Sequence, residues 1–97
     1  VTGGLSGPAI KPIALAMVSR VYRLVAKEAN VPIVGMGGVQ TWQDAAEFVL
    51  CGATAVSIGT ALFIDPATPE RVCAGLSDYC TKQGVASLRE LVGTLSV

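Results

Sequence analysis

With 97 residues, of which 52% are apolar and only 14% charged, the chain is long enough for one domain but has too few charges to cover the surface that so small a domain leaves exposed. Cationic and acidic side chains cancel at 7 each and supply no basic patch, which argues against nucleic acid or an anionic membrane as partner. No apolar run approaches the ~20 residues of a membrane span and no charged-then-apolar leader is visible, so a soluble, cytoplasmic setting is expected. The composition fits a piece of a larger protein or a self-associating chain, and the start at Val1 without Met, in a glycine-rich turn, favours the piece.

Residues 1–12, VTGGLSGPAIKP, read as a loop, because their glycines and prolines forbid a regular helix or a central strand. Lys11, the only cation there, reads as solvent-facing. Residues 12–29 form a helix in which Ala14, Met17, Val18, Val21, Leu24 and Val25 recur at three- and four-residue intervals and define the inward face. Arg20, Arg23 and Lys27 fall on the opposite, solvated side. Asn30-Val31-Pro32 ends the helix, since the residue before a proline is pushed out of α geometry.

A first strand over 31–34 runs into Gly35, Gly37 and Gly38. Thr41 then caps a helix to Cys51, with Asp44 completing the first turn, Trp42, Ala45, Ala46 and Val49 inward, and Gly52 as left-handed terminator. A second strand over 55–58 leads to Gly59 and Thr60 and a short helix. Thr68 and Pro69 begin a helix to about Lys82, with Val72, Leu76, Tyr79 and Cys80 inward, and Gly84 ends it. Ser87 and Glu90 form a capping box for a last short helix to about Leu95. The odd cysteines, Cys51, Cys73 and Cys80, have no C-x-x-C spacing and no histidine to assist them, so they read as free thiols and no metal site is expected.

Strands alternating with helices over short connections imply a parallel sheet with right-handed crossovers. Both strands are short and continuously apolar, as strands buried on two faces are. An open doubly wound sheet is disfavoured because the glycines after the first strand lack G-x-G-x-x-G spacing. The extra short helix after the second strand favours the last two βα units of a TIM (β/α)8 barrel, whose loops after strands seven and eight bind phosphate with the N-terminus of such a helix. Residues 1–97 are then one incomplete domain, the C-terminal part of that barrel. Two adjacent glycine turns make one cradle, since a backbone without Cβ lets its N–H groups approach an anion closely.

GGLSGPAIKPIAL at 3–15, PIVGMGG at 32–38 and CGATAVSIGTALF at 51–63 resemble the C-terminal third of the dihydroorotate dehydrogenases, most closely class 1B. The resemblance implies an FMN-dependent barrel that oxidises dihydroorotate to orotate in pyrimidine synthesis. Carried over position by position, it implies Gly7, Gly37, Gly38, Gly59 and Thr60 as flavin contacts. It also implies a second subunit carrying FAD and an iron–sulfur cluster that passes electrons to NAD, in a homo-oligomeric, cytoplasmic enzyme. The family's catalytic cysteine base, flavin-side lysine and orotate-gripping asparagines lie on earlier segments and match nothing here, so no catalytic residue is assigned and the isolated chain is expected to be inactive. The helix after the GGLSGP loop is about one turn longer than the family pattern. Two other readings stand beside this one: a phosphate-binding barrel without flavin, which gives no reason for the GGLSGP element, and a non-catalytic half-barrel that associates through exposed edges.

Overall fold

The computed structural model describes residues 6–94. Gly3 and Gly4 of the opening loop, and Leu95 as the end of the last helix, lie outside them. After a 3-10 turn at Pro8–Ile10, helix α1 occupies residues 11–29: α-helical over Lys11–Val21 and Lys27–Ala29, with a π-helical turn at Tyr22–Ala26 between. Asn30 closes it in left-handed geometry (φ 56°, ψ 44°), and the Val31 N–H donates to the Ala26 carbonyl at 3.0 Å.

The inward face of α1 differs from the expected one. Val18 and Ala26 are buried and Ala14 and Tyr22 half-buried, whereas Met17, Val21, Leu24 and Val25 are exposed. The inward residues recur every four positions. A regular helix rotates such a stripe away, and the π turn, wider than 3.6 residues, keeps it facing the core. Of the stripe expected inside, Ala14 and Val18 do face the core, and Met17, Val21, Leu24 and Val25 form an uncovered apolar face.

Strands β1, Val34–Met36, and β2, Ala55–Ser57, pair in parallel, with Val34 opposite Ala55, Gly35 opposite Val56 and Met36 opposite Ser57. β1 begins later than expected because Val31 is engaged in the helix cap and Pro32 has no N–H to give; the Ile33 carbonyl accepts from Thr54 N–H at 2.8 Å just ahead of the ladder. Nor is β1 buried on both faces. Val34 and Met36 are 62% and 66% exposed, while Gly35 between them faces the core.

Helix α2, Trp42–Cys51, covers that inner face. A Cβ on Gly35 would lie 2.6 Å from Phe48 Cδ1, so the absent side chain is the seat of the fully buried Phe48 ring. Phe48, rather than Trp42, centres the core, with Val18, Val39, Ala45, Ala53 and Val72 around it. Trp42 is half-buried and packs on Tyr79, ring centroids 5.4 Å apart. The expected capping box is complete: Thr41 accepts from Asp44 N–H, and the Asp44 carboxylate accepts from Thr41 N–H. Gly52 ends the helix at φ 133°, beyond the left-handed well expected of it.

Helices α3, Thr60–Ile64, and α4, Thr68–Gln83, follow. Thr68 does not cap α4. It is buried within the first turn, and its hydroxyl donates to the Asp65 carbonyl at 2.7 Å, leaving Ala67 as cap residue. Gly84 ends α4 in left-handed geometry. The Ser87–Glu90 capping box forms, but it opens a 3-10 turn, Leu88–Leu91, instead of an α-helix.

A candidate anion site at the carboxyl ends of the strands

Because β1 and β2 are parallel and Met36 sits opposite Ser57, the chain leaves both strands along the same edge, one strand spacing apart (about 4.8 Å). The Gly37–Gly38 turn and the Gly59–Thr60 turn therefore stand side by side. The loop before α1 closes a third side. As a result Gly7, Gly37, Gly38, Gly59 and Thr60 all line one cavity of about 480 Å³. Ser57, at the end of its strand, and Gln40, just ahead of the Thr41 cap, line it too. Neither is singled out by the sequence; for Ser57 the signal available was its position at a strand end, and for Gln40 its place just before the Thr41 cap.

The glycines serve different purposes. Gly38 has φ 75°, and a Cβ on it would lie 2.9 Å from both the Gly7 carbonyl oxygen and Lys11 Cβ, so its bareness lets the second turn seat on the first loop. Gly59, by contrast, would meet nothing within 4 Å if given a Cβ, which leaves its backbone open to the cavity. Among the described residues, the N–H groups of Gly38, Gly59 and Thr60 have no acceptor. The lining holds no charged side chain. Neutral N–H donors on a backbone open to close approach suit a phosphate, and the FMN phosphate implied by the resemblance fits this donor set.

Lys11 is not solvent-facing, as the sequence suggested. Its Nζ lies 2.6 Å from Asp44 Oδ1 and 3.3 Å from Glu47 Oε1, tying α1 to α2. The hydrogen bond to Asp44 holds the Lys11 ammonium above its ordinary value against the opposing effect of burial. Burial pushes the Asp44 carboxyl up, but the Lys11 hydrogen bond and those from the Gln40 and Thr41 amides outweigh it and keep the group below the usual carboxylate value. Arg20, Arg23 and Lys27 lie exposed on α1, away from this cavity.

A second cavity of about 400 Å³ opens where the strands begin, lined by Lys27, Asn30, Thr54 and Arg89 beside Tyr22. Cys51 is half-buried at the end of α2; burial, with the Glu47 charge, pushes its thiol up, away from a reactive thiolate. Among the described residues no group of 3 or more His, Cys, Asp or Glu side chains is placed to hold a metal, and no helix is long and apolar enough to cross a membrane.

The profile of the family described as dihydroorotate dehydrogenase matches residues 1–79. Curated relatives similar to the whole chain include proteins named dihydroorotate dehydrogenase B (NAD(+)), catalytic subunit. That of Bacteroides fragilis is 52% identical over 97 residues, covering 100% of this chain and 31% of its own length. That of Geotalea daltonii is 50% identical, over 100% of this chain and 30% of its own. The chain thus spans under a third of the curated relatives it matches. Among solved structures, DHODH from Eimeria tenella in complex with ferulenol superposes with a TM-score of 0.86 at 29% identity, over 97% of this chain and 25% of that one.

Proposed function

Since the chain belongs to the dihydroorotate dehydrogenase family, on its class 1B branch, we propose that its glycine turns hold the phosphate of FMN in an enzyme that oxidises dihydroorotate to orotate during pyrimidine synthesis. The observation that carries this reading is the convergence of Gly7, Gly37, Gly38, Gly59 and Thr60 on a single cavity without a charged side chain. Bound there, FMN supplies the two-electron acceptor for the substrate. The chain's own part is to bind and orient: the Gly38, Gly59 and Thr60 amides donate to the phosphate, and Gly7 lets the loop close against it.

Residues 1–97 are the C-terminal part of a (β/α)8 barrel, its last two βα units with the short helix α3 beside the phosphate. Two features support this. The cavity lies at the carboxyl ends of parallel strands, where barrels place their sites. The uncovered Val34–Met36 face and the Met17, Leu24 and Val25 stripe of α1 are the surfaces that further units of a barrel would bury. The catalytic base and the groups that grip the substrate belong to other segments of the barrel, so this stretch alone is inactive. An electron-transfer subunit carrying FAD and an iron–sulfur cluster passes electrons to NAD, in keeping with the relatives' designation as NAD(+)-linked catalytic subunits. The enzyme is cytoplasmic and homo-oligomeric.

Gly59→Val in the intact enzyme tests the cradle. A Cβ there meets nothing within 4 Å, so the added branch projects into the open space of the cavity wall, with some backbone strain because Gly59 sits at φ −117°, ψ −86°, and circular dichroism checks that the variant stays folded. The purified variant is expected to lose its flavin absorbance; full flavin content would refute the assignment.

A further inference from the structure

We infer that Lys11 and Asp44 form a clamp that positions the phosphate cradle, and that they do so without touching the ligand. The inference rests on the reading of the cavity as the FMN phosphate site. The cradle is assembled from segments distant in sequence: the Gly7 loop with the start of α1, and the 37–40 turn with the start of α2. Asp44 ties them together. Its Oδ1 accepts from Lys11 Nζ at 2.6 Å, while its Oδ2 accepts from the amides of Gln40, a residue of the cavity wall, at 3.0 Å and Thr41 at 3.2 Å. Lys11 in turn is the platform for Gly38, with its backbone nitrogen 3.3 Å from where a Gly38 Cβ would stand. The pair is shielded, the two side chains being 26% and 15% exposed. It is therefore less screened than a surface ion pair.

The charges also indicate positioning rather than attraction. Lys11 is matched by both Asp44 and Glu47, so the cluster carries a net negative charge beside a site for an anion. Through charge alone, Asp44→Asn would tighten phosphate binding. Through the clamp it weakens binding, because the Gln40 turn and the Lys11 platform lose their common anchor.

The test measures FMN and riboflavin affinities of the intact enzyme, since riboflavin shares the ring system but lacks the phosphate. Wild type is expected to prefer FMN; without that preference the phosphate-site reading itself fails. Given the preference, Asp44→Asn is expected to weaken FMN by about tenfold or more, the scale of lost charge-assisted hydrogen bonds, and to leave riboflavin unchanged. Asp44→Glu, which preserves an acceptor for the cap and for Lys11, restores part of the FMN affinity. Lys11→Met combined with Glu47→Gln, which keeps both the capping box and the net charge of the cluster, reduces the preference independently should Asp44→Asn fail to fold. Tighter FMN binding, an unchanged preference, or equal loss of both flavins would each overturn the clamp.

Discussion

A Cβ added at Gly59, in the cavity wall, meets nothing within 4 Å, whereas one at Gly52, Gly75 or Gly93 would stand 2.2 to 2.3 Å from a ring atom of Tyr22 or Trp42. Both sets are glycines in a chain rich in them, yet one set leaves room for something absent from the chain and the other is filled by the chain's own rings. Tyr22 is held between Gly52 and Gly93, and Trp42 lies on Gly75. A glycine in sequence therefore marks close approach, and only the fold tells whether an aromatic ring or a ligand is doing the approaching.

This contrast predicts a clean separation of stability from binding. In the intact enzyme, Gly75→Val forces a side chain into the stem of Trp42, and a loss of about 3 kcal/mol or more is expected in denaturant unfolding. Gly59→Val is expected to cost only about 1 kcal/mol of backbone strain when wild type and variant are compared free of flavin, while removing the flavin from the holoenzyme, so equal destabilisation of the two variants in the flavin-free form would break the comparison. Tyr22→Ala empties the space between two glycines and is expected to cost about 2 kcal/mol, less than a fully buried ring because Tyr22 is only half-buried.

Acid sharpens the comparison further. The folded-state carboxyl of Asp44 lies below its unfolded value, so its contribution is fully present above about pH 4 and is lost as the pH falls through the lower folded value. Flavin release in that acid range should precede unfolding, and Asp44→Asn should flatten this part of the pH profile of stability. Smallest of all, Arg23→Ala on the exposed side of α1 is expected to shift stability by no more than about 0.5 kcal/mol and to leave flavin content untouched.

Local signals in the sequence resolved much of this. The Thr41 capping box, the Gly84 stop and the order of strands and glycine turns need only neighbouring residues to be read, and each is present in the structure. The residues named for the cradle line a common cavity for the same reason: parallel strands oblige successive turns to leave by one edge. Long-range features were not legible. The inward face of α1 depends on a π turn that breaks the 3.6-residue template, and the seat of Phe48 depends on Gly35 from another element. Lys11 pairs with Asp44 across 33 positions, so nothing around it in sequence distinguished it from a solvated lysine.

The central claim concerns where the phosphate is held, and a crystal structure of the intact enzyme with FMN decides it. The account predicts the phosphate within hydrogen-bond reach of the Gly38 and Thr60 amides, with no cationic side chain of this segment touching it. A phosphate found at the opposite end of the sheet, on Lys27 and Arg89, or on Arg20 and Arg23 along α1, would contradict it.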